Sequence, residues 1–524
     1  MKHCLSSVHS RAAIVLWLCF GSSVAAQGGQ WFDRDKPGAQ AHEAVAVLAN
    51  AASHGLVPQD YSAAVLAKAV AGAAQGSPLD ADGVARIEEA LTAAMERYLA
   101  DVHTGRIDPQ KIRHNFSPPQ RTPFDAALYL EAALAAGRLR DAAFEAAPRL
   151  PIYAKLRGAL AAYRARIDHA AWRMPLPPLP DGQTAKLEPG QAYAGLAPLA
   201  ERLVDLGDLP PGLPLPALYD EPLVGAVKAF QLRHGLSADG VIGKATLAQL
   251  QLTPAVRARQ IELALERLRW TPLTQGPRMI VVNIPEFVLR AYEVQDGRIR
   301  VQEEMKIVVG KALNTRTPLF DEDMRFIEFS PYWNIPPSIA RAETVPRLRR
   351  DPGYLARQEM EFVLASGRVE RSVSAGLLDA VLAGKARIRQ RPAPINALGD
   401  IKFVFPNHDN IYLHHTPATQ LFERDRRDFS HGCIRVEHPV ELAKFVLKNM
   451  PDWTDDRIRT AMSRGESATL KLPEPVPVLI AYGTALVKDG RTFFFDDIYR
   501  LDRVLDAALR RHSQTVPTIY RDTP

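Results

Sequence analysis

Between Met174 and Gly182 the chain reads MPLPPLPDG, and no regular element can run through it. Proline fixes φ, lacks an amide hydrogen and clashes with the preceding helical turn, so neither a helix nor a central strand tolerates such a run. The stretch reads as a linker. It divides a chain of 524 residues, too long for one hydrophobic core, into parts that build separate cores. A second run, LPPGLPLP at 209–216, acts with it as a semi-rigid spacer.

The texture differs on either side. Residues from about 38 to 172 are rich in Ala, Leu and Arg with helical periodicity. In ARIEEALTAAMERYLADVHTG, Ile87, Leu91, Met95, Tyr98 and Val102 share one helical face, and Gly105 is placed to stop the helix. Beyond the linker, LVGAVKAFQLRHGLSADGVIGKATLAQL predicts a helix carrying Val224, Val227, Phe230 and Gln231, ended by a left-handed Gly235. A turn at Asp239–Gly240 and a second helix opening at Gly243–Lys244 complete a small helical bundle. A bridging helix follows, with Thr253 as N-cap and Pro254 as first helical residue, ending near Trp270. From there the chain turns to β. RMIVVNIPEFVLRAYEV and GRIRVQEEMKIVVG are rich in Val and Ile, with Gly297 in the turn between them. Near the C-terminus, PVPVLIAYGTALVKDGRTFFFDDIYRLDRVLDAAL predicts two strands joined at Asp489–Gly490, which complete the sheet, and then a helix. No long solenoid-type repeat is present.

Cysteine usage narrows the chemistry. Two of the three cysteines lie in residues 1–26, MKHCLSSVHSRAAIVLWLCFGSSVAA. A basic start, a short apolar run and a small-residue exit are the layout of a secretory signal peptide; an uncleaved anchor is the alternative. The exported chain then keeps Cys433 alone and can form no intramolecular disulfide. In an oxidising compartment a lone thiol is a liability unless its reactivity is useful. A buried cysteine acting as a small hydrophobe is the plainer reading, but the neighbours of Cys433 are Ser, His, Gly and Arg rather than core residues. A net charge of +6 suits anionic surroundings such as wall polymer or a membrane surface. No dense basic patch with interleaved aromatics points to nucleic acid.

The thiol sits in RRDFSHGCIRVEHP, residues 426–439. Upstream, IYLHH at 411–415 is a strand that delivers His414. Downstream, a helix starts at His438 with Pro439 in its first turn. A nucleophilic thiolate needs a base, a depressed pKa and backbone N–H groups aimed at the developing oxyanion. Gly432 leaves the backbone around the thiol uncluttered, and Arg435 with the nearby histidines supplies positive charge. His408, His414, His415, His431 and His438 cluster in sequence and raise the question of zinc, but HExxH, CxxC and any tetrahedral spacing are absent. A papain-like protease also uses Cys and His, yet it places the cysteine before the histidine, the reverse of His414 and Cys433.

IYLHHTP followed by FSHGCIRVEHPVELA resembles the active-site signature of the L,D-transpeptidases that remodel peptidoglycan. The likeness extends through SPYWNIPPSIARAETVPRLRRDPGYL and RPAPINALGDIKFVFPN. HGLVPQDY and YLADVHTGRIDP resemble the scaffold of the larger periplasmic members, and FQ, HGL, DGVIG and T-x-x-x-L resemble a peptidoglycan-binding module. The resemblance implies a multidomain α+β protein. Its parts are a signal peptide (1–26), a helical N-terminal scaffold (30–185), a small helical-bundle peptidoglycan-binding module (190–252) and a mainly-β catalytic domain (253–524) with an inserted lid (334–395).

It further implies Cys433 as nucleophile, His414 as proton donor and acceptor, His415 orienting that base through its backbone, and Gly432 with Cys433 as the oxyanion hole. His415 departs from relatives, which commonly show Gly or Asp there. Tyr412, Ser430, His431, Arg435 and Trp333 are the implied substrate-binding residues. The implied reaction joins third residues of peptide stems through a Cys433 thioester with release of D-Ala, without metal or cofactor, and makes the thiol a carbapenem target. Water or a lipoprotein amine are alternative acceptors, and a binding protein with a dead catalytic domain is a further reading. Peptidoglycan is the implied partner, with peptidoglycan synthases as candidates, and the periplasm the implied location.

Overall fold

The computed structural model describes residues 30–520 apart from 77–78, 113–123, 181–184, 273–275, 296–297 and 314. The signal-peptide reading and the turn at Gly297 lie outside the described residues.

The architecture is a helical N-terminal region, a small helical unit and then a sheet-rich domain. The longest helix among the described residues, Ala81–Thr104, opens on Asp80, whose side chain accepts the Gly83 amide at 2.7 Å. It buries Ile87, Leu91, Met95, Tyr98 and Val102. Gly105 ends it at φ 83°, where a Cβ would also stand 2.6 Å from Trp270, so the position requires glycine on both counts. Trp270 closes the helix Pro254–Trp270. Ala258, Ile261, Ala264 and Leu265 of that helix belong to the N-terminal helical core, while Leu263 and Trp270 belong to the core of the sheet domain. One helix therefore serves two cores.

The proline run does not hang free. Leu176 is buried in the core of the small unit. Tyr193 donates to the Pro177 carbonyl at 2.6 Å, and the Arg202 guanidinium donates to the carbonyls of Ala171, Met174 and Leu250. Proline-bearing backbone leaves carbonyls with no ladder partner, and a buried arginine satisfies them. Within the unit, the Gln231 amide clamps the Asp239–Val241 turn: its nitrogen donates to Asp239 and Val241, and its oxygen accepts the Gly240 amide.

The main sheet runs in the order Asp428–Ser430, Arg298–Gly310, Ile434–Val436, Leu413–His414, Ile401–Val404, Phe320–Phe329, Ala468–Ala481, Arg278–Asn283, Val288–Gln295. Val288–Gln295 pairs again with Arg298–Gly310, so the sheet closes on itself. Leu413–His414 and Ile434–Val436 run parallel, with His414 opposite Arg435.

The C-terminal segment departs from expectation. PVPVLIA continues the long strand Ala468–Ala481 of the main sheet, but Ala485–Lys488 and Arg491–Phe494 form a separate two-stranded hairpin. The cause is aromatic packing outside the barrel. Phe494 meets Tyr163 of the N-terminal helices edge-on and stacks near His234 of the small unit, with Arg257 over its ring. The hairpin thus clasps three parts of the chain together.

The insertion after Trp333 folds around its own core, which includes Leu348, Leu355, Phe362, Leu378 and Ile388. Its sheet orders Trp333–Asn334, Ala386–Gln390, Met360–Leu364 and Val369–Glu370. Among the described residues no helix is long and apolar enough to cross a membrane.

Candidate active site

The turn carrying Cys433 is fixed from several sides. Ser430 donates its hydroxyl to the Cys433 carbonyl at 2.5 Å and accepts the Gly432 amide at 3.1 Å. Thr317 donates to the Gly432 carbonyl at 2.7 Å, and Thr315 and the Lys311 amide both donate to the Ser430 carbonyl at 3.0 Å. Tyr499 holds the other end of that bracket by donating to the Gly310 carbonyl at 2.6 Å. Gly432 has φ 122°, and a Cβ there would press on Ile411 at 3.3 Å, so the turn excludes larger residues.

The thiol lies beside Tyr412, the residue before the strand Leu413–His414, where the Ile434 amide donates to the Tyr412 carbonyl at 3.1 Å. Its recorded partners are the Tyr412 hydroxyl and the Asn410 carbonyl, the latter at 3.7 Å. Asn407 pins that loop by accepting the Ile411 amide and donating to the Phe405 and Ile411 carbonyls. Burial pushes the Cys433 thiol up from its ordinary pKa, while Tyr412, Lys402 and Arg435 pull it down less strongly. The positive charge that the sequence places around the thiol is present, but desolvation outweighs it and holds the thiol above its ordinary range.

His414 is 4% exposed. Its Nδ1 lies 2.5 Å from the His415 carbonyl, which assigns the proton to Nδ1 and leaves Nε2 with a lone pair. Burial, then the Arg435 charge, hold its pKa down at about 3, against the pull of the His415 and Leu398 carbonyls. It is a neutral imidazole throughout the physiological range. Its ring stands 5.7 Å from that of Tyr412. Among the described residues no hydrogen bond joins it to Cys433, although the register of the two strands puts His414 and Cys433 on one face. His415 turns its own ring to Asp400 at 2.6 Å.

Arg435 stands opposite His414 with its Nε buried and unpartnered. Lys402 places its Nζ 4.5 Å above the Tyr412 ring and pairs with Glu328 at 3.1 Å. The amide of Gly432 donates to the Ser430 hydroxyl, while among the described residues no hydrogen bond is made by the Cys433 amide. His431 reaches away from the turn to Glu343 of the insertion at 2.7 Å. Trp333 packs with the insertion's own core, apart from the partners recorded for the thiol. Thr317, Tyr499, Lys402, Asp400 and Glu343 were not found by sequence reasoning; each reaches the site from a distant segment. Among the described residues no group of three or more His, Cys, Asp or Glu side chains could hold a metal ion.

Comparison with known proteins places these features. Residues 277–463 match the L,D-transpeptidase catalytic domain, 27–160 the scaffold domain, and 196–250 the "putative peptidoglycan binding domain". A protein of Haemophilus influenzae named "Putative L,D-transpeptidase" is 31% identical over 247 residues, covering 47% of this chain and 49% of that protein. The chain therefore spans about half the length of this curated relative. Crystal structures of L,D-transpeptidases are also among the matches. The L,D-transpeptidase of Xylanimonas cellulosilytica is 17% identical, with TM-score 0.19, covering 58% of this chain and 99% of that one. The L,D-transpeptidase of Stackebrandtia nassauensis is 14% identical, with TM-score 0.24, covering 58% and 97%. Scores this low carry no functional information. Three regions of the chain thus match an L,D-transpeptidase catalytic domain, a scaffold domain and a putative peptidoglycan binding domain.

Proposed function

We propose that the protein is a cysteine-dependent L,D-transpeptidase that cross-links third residues of peptidoglycan stems. The observation that carries this reading is the Cys433 turn: a half-buried thiol on a glycine turn, its own amide without a hydrogen bond among the described residues, beside a neutral imidazole and two cations. On substrate binding, the thiol proton passes to Nε2 of His414 as sulfur attacks the carbonyl of the stem's third residue. The Cys433 amide receives the oxyanion. The C–N bond to terminal D-Ala breaks, and His414 returns the proton to the leaving amine. The thioester is then opened by the side-chain amine of a second stem. A neutral thiol and a neutral base suit this order, because proton transfer accompanies attack rather than preceding it. Tyr412 lines the donor pocket and Arg435 offers an unpaired cation to substrate. The unit at 190–252 binds polymer and presents it to the site, in an exported, periplasmic protein.

The test is acylation by a carbapenem, read by intact-protein mass. One adduct is expected, located at Cys433 and lost in Cys433→Ala. An adduct that persists in that variant contradicts the assignment.

A further inference from the structure

The insertion over the site is basic: between Trp333 and Ile395, Arg and Lys outnumber Asp and Glu. Five of its six carboxylates are paired to its own arginines: Asp351 to Arg357, Glu359 to Arg391, Glu361 to Arg389, Glu370 to Arg368, and Asp379 to Arg349. Glu343 is the exception. Its Oε1 leaves the insertion and meets Nε2 of His431, two residues from the thiol, at 2.7 Å. It is carried on a π-helical turn, Ala340–Thr344, a rare conformation that recurs at functional sites. Both side chains stay accessible, at 57% for Glu343 and 34% for His431, so either can exchange its partner for a ligand.

The chemistry of the second half-reaction says what that ligand is. An alkyl amine acceptor, with an ordinary pKa of about 10.4, arrives as a cation and must lose a proton before it can attack. A basic insertion repels it, and a single carboxylate at the edge of the Cys433 turn gives it a place to bind. We propose that Glu343 is the specificity-determining residue for the acyl acceptor, holding a cationic amine between insertion and cysteine turn while His431 takes its proton. This rests on the acyl-transfer reading above. The ammonium displaces the imidazole from Glu343, and one N–H proton passes to His431. The neutral amine attacks the thioester carbonyl, the C–N bond forms and the C–S bond breaks. A second N–H proton, lost as the amide forms, returns to the Cys433 thiolate.

The full-length protein is incubated with disaccharide-tetrapeptide, and amide-linked dimer and hydrolysed tripeptide are counted by mass. Their ratio reads acceptor choice independently of how fast the thioester forms. Glu343→Gln lowers the dimer-to-tripeptide ratio by about twofold to fivefold, the upper range for a partly exposed charge pair, and Glu343→Asp restores part of it. Hydroxylamine, mostly uncharged at neutral pH, is then supplied as acceptor, and wild type and Glu343→Gln give the same hydroxamate fraction. Unchanged dimer ratios overturn the proposal, as does an equal defect with hydroxylamine, which would mark a merely structural role. Absence of both products from wild type overturns the acyl-transfer reading, and this proposal with it.

Discussion

Two buried polar networks, one under the N-terminal helices and one around Cys433, are built from similar residues to opposite effect. In the first, Glu266 accepts the Arg106 and Ile107 amides and pairs with Arg106 at 3.2 Å and Arg269 at 2.6 Å. Arg269 also donates to the His54 carbonyl and to Tyr153. Both arginines there pair with the one carboxylate, although the Arg269 Nε, like that of Arg435, is buried without a hydrogen-bond partner. In the second, Arg435 faces no carboxylate partner among the described residues, and His414 is a neutral ring rather than a member of an ion pair. Paired charges lock the bridging helix to both cores; the unpaired cation beside Cys433 leaves capacity for a substrate.

The sharpest way to break this contrast is to remove one member from each side. His414→Ala should lower the transfer rate by ~10²–10⁴-fold while the chain still folds. Glu266→Gln should do the reverse. Stranding Arg106 and Arg269 in the core costs about 3–5 kcal/mol, read by denaturant unfolding, while activity per folded molecule persists. If Glu266→Gln is harmless to stability, the first network is no more structural than the second.

Acid sharpens the comparison next. His414 and His54 both sit at about 3, each lowered first by burial, against about 6.5 when unfolded. Between those values the unfolded chain binds more protons, so stability falls as pH drops from about 6.5 toward 3. Asp101 and Asp502, both raised by burial, act in the opposite sense. Urea midpoints measured across this window should decline with acid, and His54→Gln or His414→Gln should flatten the slope. A midpoint that rises on acidification over the whole window contradicts the burial of these imidazoles.

The smallest effect belongs to Lys402. Its charge pulls the Cys433 thiol down, so Lys402→Met should move the pH profile of thiol alkylation upward. An unmoved profile would show that Tyr412 and Arg435 alone set the thiol.

What the sequence made legible follows the range of the contacts. The helix face through Ile87 and Val102, the bridging helix from Thr253, and the strand and turn leading to His414 and Cys433 all rest on local periodicity or on short motifs. The bracket of Thr317 and Tyr499, the Asp400 contact to His415 and the reach of Glu343 to His431 join segments far apart in the chain, and no local pattern encodes them. The terminal hairpin shows the same limit. Its strands read correctly around Asp489–Gly490, but alternation cannot say which sheet a strand joins, and Phe494 found its partners in two helical units instead. The proline run was read for what it cannot form; that Arg202 would collect its carbonyls depends on a side chain that approaches only after folding.

The most direct test of the central claim is to trap the acyl-enzyme on the natural donor. The protein is mixed with disaccharide-tetrapeptide, quenched in acid and mapped by peptide mass, with free D-Ala assayed in parallel. A thioester of the donor lacking D-Ala, found on the peptide containing Cys433 and matched by D-Ala release that vanishes in Cys433→Ala, is the predicted result. D-Ala release that survives in Cys433→Ala, or an acyl group mapped to any other residue, contradicts it.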